Sequence, residues 1–112
     1  MQNENRYNGH ANYETWLVAI WIYNDQGSYE FFRDLAREVQ SEIDRKPNEY
    51  LSKQESDANA LAAALREQFE EESPVADQAS VYADLMNAAF SEVDWHEIAT
   101  GLLDELTEQV NS

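Results

Sequence analysis

The sequence predicts an all-α protein, a single domain over residues 1–112 folded as a compact bundle of about five helices. Only three glycines and two prolines interrupt the chain, and apolar residues recur at helical spacing. The chain contains 3 Trp, 6 Tyr and 4 Phe, which indicates a packed core, although its net charge is −16. We therefore expect an apolar core beneath a strongly anionic surface, with residues 1–11 as a flexible N-terminus.

The first predicted helix runs from about Tyr13 to Asn24. Asn12 precedes it and is a favourable N-cap, because its side chain can accept a hydrogen bond from the first turn. Gly27 is expected to follow the helix in a left-handed conformation. Residues 15–23 are rich in β-branched and aromatic side chains, so a buried strand remains an alternative for this segment.

Two longer helices are predicted next, each followed by a proline. The second starts after the N-cap Ser28 and continues to about Arg45, with a regular apolar face. Residues 46–55 are predicted to be a polar connector. The third helix then covers about residues 57–71, with Ser56 as its N-cap.

The fourth helix is predicted over about residues 77–89 and the fifth from Asp94 onward. The inward face of the fourth is expected to contain Val81, Tyr82, Leu85, Met86 and Ala89. Asp94 and Glu97 have the spacing of a capping box, in which each side chain accepts from the backbone of the other residue. Gly101 interrupts the fifth helix at a cost of about 1 kcal/mol relative to alanine, which suggests a close backbone approach.

The acidic residues are concentrated in the second half of the chain. Residues 57–112 contain 13 acidic residues and one basic residue, whereas residues 1–56 contain 10 acidic and six basic residues. Direct binding to nucleic acid or to an anionic membrane is excluded, because both need an excess of cationic groups. The partner expected from this charge is a basic protein.

The sequence predicts no enzyme, no metal site and no cofactor. It has no cysteine, its two histidines lack a zinc-binding spacing, and its glycines form no phosphate-binding loop. The N-terminal residues contain no apolar signal segment. The longest apolar run, residues 16–23, is shorter than the roughly 20 residues that cross a bilayer as a helix. A cytoplasmic protein is therefore expected.

Two segments of the sequence resemble a known family. The first is Asn12-Tyr13-Glu14-Thr15-Trp16, with residues 7–9 before it and residues 21–29 after it. The second comprises residues 82–90 and 93–99. These segments resemble a family of small acidic proteins from phages, plasmids and bacterial genomes, which has no assigned activity. The resemblance implies a mobile-element setting and assigns no function to any residue.

The main functional hypothesis is DNA mimicry. Restriction and CRISPR effectors hold nucleic acid in cationic channels, so a helical protein with closely spaced carboxylates could occupy such a channel and inhibit the effector. Four carboxylates of the fifth helix share one face over about 21 Å. The predicted acidic contact set is Glu67, Glu70, Glu71, Glu72, Asp84, Glu92, Asp94, Glu97, Asp104, Glu105 and Glu108.

The alternative hypothesis is a non-enzymatic adaptor or homo-oligomer that binds through aromatic side chains near the N-terminus. Trp and Tyr are enriched at interface hot spots, although the sequence favours a core built from these rings over an interface. The predicted aromatic interface comprises Trp16, Trp21, Tyr23 and Tyr29. A homodimer is left open, and adaptation to high salt is a third interpretation of the acidic composition.

Overall fold

The computed structural model describes residues 6–42, 52–75 and 79–111, the last five of these by their backbone alone. The described residues form five helices, which confirms the predicted all-α fold. Within the described part, residues 15–23 are helical, so the strand alternative for them is wrong. The helices are α1 (Tyr13–Asn24), α2 (Gln26–Gln40), α3 (Lys53–Glu72), α4 (Val81–Glu92) and α5 (Trp95–Asn111).

The core lies between α2, α3 and α5. α3 and α5 make the most extensive contact of any helix pair, and α2 packs against both. α1 packs mainly against α2, and α4 is peripheral, with its main contact to α1. The largest fully buried apolar side chains are Ile22, Leu61, Leu65 and Leu102.

The junction between α1 and α2 is tighter than the sequence predicted. Asn12 caps α1 as expected. The predicted left-handed Gly27 and the predicted N-cap Ser28 are both wrong, because Asp25 caps α2 and both residues lie within that helix. The Asp25 carboxylate accepts a 2.9 Å hydrogen bond from the backbone N–H of Ser28. One residue therefore follows the last turn of α1 and caps the first turn of α2.

The start of α3 also differs from the prediction. α3 begins at Lys53, after a capping box between Ser52 and Glu55, so Ser56 lies inside the helix rather than at its cap. The capping box offers two reciprocal hydrogen bonds, whereas Ser56 alone offered one.

The predicted end of the second helix near Arg45 is wrong, because α2 ends at Gln40. The predicted connector over residues 46–55 is wrong at residues 53–55, which belong to α3, while its residues 46–51 lie outside the described residues. The predicted start of the fourth helix at residue 77 is wrong as well, because α4 begins at Val81 after the N-cap Ser80.

The predicted inward face of α4 is wrong for three residues. Val81, Tyr82 and Leu85 are 62%, 68% and 63% exposed, whereas Ala83 and Phe90 are buried. Helical periodicity identifies residues that share a face, but it does not show which face a neighbouring helix covers. α4 thus buries a narrow face against the rest of the domain and leaves Val81, Tyr82 and Leu85 in solvent.

Residues 7–10, within the predicted flexible N-terminus, form a tight turn, and residues 1–5 of that segment lie outside the described residues. Tyr7 and His10 exchange two backbone hydrogen bonds of 2.8 Å. Asn8 and Gly9 between them have φ values of 48° and 87°. Two consecutive positive φ values are typical of a type I′ turn, for which Asn-Gly is a preferred sequence.

Candidate functional site

Glu97, in the first turn of α5, holds the N-terminal turn against the domain. Its carboxylate accepts a 3.0 Å hydrogen bond from the backbone N–H of Ala11 and lies 2.7 Å from His10 Nδ1. Arg6 is 3.7 Å from the same carboxylate. Half of the predicted capping box is present, since Asp94 accepts from the Glu97 N–H. The Glu97 side chain does not complete the box, because it contacts the N-terminal turn instead.

Asn12 and Thr15 connect α1 to the turn between α4 and α5. The buried Thr15 hydroxyl accepts a 2.8 Å hydrogen bond from the Asp94 N–H and donates a 2.7 Å bond to Asn12 Oδ1. The Asn12 amide donates to the Glu92 carbonyl at 2.6 Å. These contacts give two residues of the Asn12–Trp16 segment an architectural role.

Glu105 accepts hydrogen bonds from tyrosines of the first two helices. The Tyr29 hydroxyl lies 2.9 Å from its carboxylate. Burial, together with Glu105, raises the pKa of Tyr23 well above its ordinary value, and the hydrogen bond to Glu105 raises the pKa of Tyr29. A Cβ on Gly101 would lie 3.6 Å from the Tyr23 hydroxyl, so the close approach at this glycine is to a side chain and leaves room for a methyl group.

A groove of about 540 Å³, here called the acidic groove, separates the end of α3 from α4. Glu67, Glu70 and Glu71 line its α3 side. Glu67 and Glu71 are exposed and form no ion pair with the described residues, whereas Glu70 lies 3.0 Å from Arg66. The opposite side includes Ala83, Met86, Asn87 and Phe90 from α4.

The structure therefore divides ten of the eleven acidic candidates into two groups. Glu97 and Glu105 have contacts inside the domain, and Glu70 has a cationic neighbour. The side chain of Glu108 lies outside the described residues. The remaining candidates are exposed, and none of them forms an ion pair within the described part of the chain: Glu67, Glu71, Glu72, Asp84, Glu92, Asp94 and Asp104.

A second groove, here called the aromatic groove, has a volume of about 580 Å³ and lies on another side of α3. Trp21, Phe31, Phe32 and Phe69 line it, with Asp25, Gly27, Ser28, Gln68 and Glu72 among the other lining residues. Trp21 is 66% and Phe31 49% exposed, whereas Phe32 is buried and stacks on Phe69 at 5.3 Å. Hydrogen bonds from Ser28 lower the pKa of Asp25, which keeps this carboxyl ionised.

The four predicted aromatic interface residues lie in different surroundings. Trp21 lines the aromatic groove, and Trp16 packs on Tyr7 at a centroid distance of 4.9 Å. Tyr23 and Tyr29 contact each other at 5.6 Å and share Glu105. Phe31 was not among the four predicted interface residues, although the helical periodicity that places Phe32 on the apolar face of the second helix leaves Phe31 off that face.

Among the described residues, no three His, Asp or Glu side chains converge as a metal site would require. No helix within the described ranges is long and apolar enough to span a membrane. The features that remain are two grooves with different linings and a set of exposed carboxylates, an arrangement suited to binding another macromolecule.

Comparison with known proteins identifies a family for the chain but no function. No curated protein and no solved structure matches the chain. A match to the family of unknown function DUF7249 extends over residues 3–109, nearly the whole sequence. This agrees with the expected resemblance to a family without an assigned activity, while its occurrence in phages and plasmids stays a prediction. The chain belongs to DUF7249, a family of unknown function.

Proposed function

We propose that this protein is a non-enzymatic inhibitor that imitates the phosphate backbone of DNA. Its partner is a basic, nucleic-acid-binding protein of the cytoplasm, and a host restriction or CRISPR effector is the class that the family resemblance favours. The observation that supports the proposal is the set of exposed carboxylates around the acidic groove, which have no cationic partner within the described part of the chain.

The carboxylates of the acidic groove are closely spaced, although less densely than the phosphates of DNA. Glu67, Glu70 and Glu71 lie within about 6 Å along the helix axis. The Arg66 neighbour of Glu70 leaves a net of two negative charges in this stretch. That is about one charge per 3 Å, compared with about one per 1.7 Å for duplex DNA.

The mimicry is centred on α3 rather than on α5. The sequence suggested a row of four carboxylates on the fifth helix, but Glu97 lies against the N-terminal turn. Asp94 and Asp104, which are the exposed members of that row among the described side chains, are separated by about 15 Å along the helix axis. These two therefore supplement the denser cluster on α3.

A competition assay tests the proposal. The protein should displace a labelled DNA duplex from a purified restriction or CRISPR effector. Replacing Glu67 and Glu71 by lysine should weaken this competition by at least about tenfold, because two attractive contacts become repulsive. The readout is the concentration of protein that displaces half of the duplex.

The matched control reverses two charges at the same spacing on a different helix. Glu30 and Asp34 of α2 are exposed and also lie four residues apart. Their replacement by lysine alters the net charge equally and should weaken competition much less. Equal losses for the two double variants, or no displacement of DNA by the unmodified protein, would contradict mimicry through the acidic groove.

A further inference from the structure

The apolar lining of the aromatic groove is left accessible by the residues that the structure describes. The buried Phe32 and the partly buried Phe69 form its interior side. Trp21 and Phe31 line the same groove with much of their surface in solvent. Exposed aromatic side chains next to a concave apolar surface are typical of sites that take an apolar anchor from a partner.

The charge around this groove is negative from several sources. Asp25 and Glu72 are exposed carboxylates in its lining. Asp25 follows the last turn of α1, and Glu72 is the last residue of α3. α3 has no basic residue in its last turn, so the partial negative charge of its C-terminal end adds to that of Glu72. The N-terminal end of α2 contributes a partial positive charge at Asp25, which the full negative charge of that carboxylate outweighs. The groove therefore combines an apolar lining with a cation-attracting edge.

We infer that the aromatic groove binds a basic, amphipathic peptide segment of a protein partner. An apolar side chain of the segment inserts beside Trp21 and Phe31, and its Lys or Arg side chains pair with Asp25 and Glu72. A second copy of this chain is a poor occupant, since each copy has a net charge of −16 and brings further acidic residues to the contact.

The inference rests on the proposed function only in that the occupant belongs to the same class of cationic partner. The two surfaces are distinct, because the acidic groove is lined by Glu67, Glu70 and Glu71 and the aromatic groove by Gln68, Phe69 and Glu72 of the same helix. A peptide assay needs no effector, so failure of this inference is distinguishable from failure of DNA mimicry.

The probe is a fluorescein-labelled amphipathic helical peptide of leucine and lysine. A second peptide has the same lysines and serine in place of every leucine, so the two carry the same charge and only the first can present an apolar face. Fluorescence anisotropy gives Kd for each peptide at about 0.15 M and about 0.5 M salt, where charge attraction is increasingly screened. The unmodified protein should bind the leucine peptide at least about tenfold tighter than the serine peptide at both salt concentrations.

Three substitutions locate this preference. Phe31→Ser and Trp21→Ser should each reduce the preference for leucine to about twofold or less. Tyr82→Ser is the matched control, because Tyr82 is 68% exposed on α4 and does not line the groove. This control should retain the full preference. Thermal melting followed by circular dichroism checks that each variant is folded.

A substitution of Glu72 tests the contribution of the charged edge separately from that of the apolar lining. Glu72→Gln should weaken the binding of both peptides by a similar factor and leave their ratio unchanged, since it removes a charge and no apolar surface. An unchanged affinity would overturn the role of Glu72 as a cation partner.

Other outcomes overturn the apolar part of the inference. These are equal affinities for the two peptides, or an equal loss of preference in Tyr82→Ser and Phe31→Ser. Sedimentation of the protein alone tests the remaining occupant. A dimer that Phe31→Ser converts to a monomer would assign the groove to a second copy and overturn the inference.

Discussion

The end of α3 has a groove on each of two sides, and the two grooves differ in the chemistry of their linings. One is lined by Glu67, Glu70 and Glu71 together with α4, and the other by Phe69 and Glu72 together with α1 and α2. Successive residues of an α-helix are rotated by about 100°, so neighbouring residues face different surroundings. Six residues of sequence can thus line one carboxylate-rich and one aromatic surface.

The net charge of the chain does not by itself show which carboxylates are available to a partner. Along the sequence, the excess negative charge belongs to the second half of the chain. In the folded domain, some of these carboxylates form contacts within the protein. Glu97 holds the N-terminal turn, and Glu105 accepts a hydrogen bond from the Tyr29 hydroxyl. The carboxylates available to a partner are the exposed ones, which are most closely spaced at the end of α3.

Phe31 and Phe32 provide the largest expected contrast within the aromatic groove. Phe32→Ala should lower the free energy of unfolding by about 3–5 kcal/mol, because it removes a buried ring that stacks on Phe69. Phe31→Ala, at the half-exposed neighbour, should cost about 1 kcal/mol or less. Urea denaturation measures both. Similar losses for the two variants would mean that Phe31 is a core residue and not an accessible part of the groove.

The hydrogen bond between Thr15 of α1 and the α4–α5 turn should have the next largest effect on the free energy of unfolding. It also bears on the acidic groove, because it affects the position of α4. Thr15→Val keeps the shape of the side chain but removes the acceptor of the Asp94 N–H, which should cost about 1–3 kcal/mol. Hydrogen exchange should rise in α4 more than in α2. Ser91→Ala, at an exposed hydroxyl that bonds within α4, is the control and should change little.

The sequence predicted the helical fold and several helix boundaries because those signals are local. Asn12 and Asp94 were identified as caps, since a cap depends on residues three positions away. The start of α2 was misplaced because Asp25 and Ser28 offer competing local signals. The stronger of them could be identified only once the course of the chain was known.

The candidate site was less predictable because its contacts are distant in sequence. Glu97 meets the backbone of Ala11, and Glu105 meets Tyr29, across most of the chain length. Nothing in the spacing of acidic residues separates these from Glu67 or Glu71. The exposure of Tyr82 on α4 was missed for a related reason: periodicity shows an apolar stripe, and the packing of other helices decides whether it is covered.

Gly101 offers a smaller, stabilising change. Gly101→Ala should raise the free energy of unfolding by about 1 kcal/mol, because alanine favours the helix and a Cβ would be in ordinary contact with the Tyr23 hydroxyl. Ala63→Gly at an exposed position of α3 is the reciprocal control and should lose a similar amount. A loss of stability in Gly101→Ala would show that the space beside Tyr23 is needed.

The smallest predicted effect on stability near neutral pH comes from the tyrosines that contact Glu105, because their effect on the free energy of unfolding appears only at alkaline pH. Folding raises the pKa of Tyr23 and Tyr29, so their contribution to stability is complete below the unfolded pKa of about 10 and is lost as pH rises above it. The free energy of unfolding should therefore fall above about pH 10. Tyr23→Phe should flatten this decline, whereas Tyr82→Phe should retain it. Identical pH profiles for the two variants would contradict the raised pKa of Tyr23, which burial and Glu105 together produce.

The salt dependence of effector binding tests the central claim most directly. For a protein that replaces DNA phosphates in a cationic groove, the logarithm of the association constant should fall steeply and linearly with the logarithm of salt concentration. Removing the charges of Glu67 and Glu71 by substitution with glutamine should make that slope shallower by about one to two units. Replacing Glu30 and Asp34 in the same way should leave it nearly unchanged. A slope near zero for the unmodified protein, or one that the glutamine substitutions at Glu67 and Glu71 leave intact, would contradict phosphate mimicry by α3.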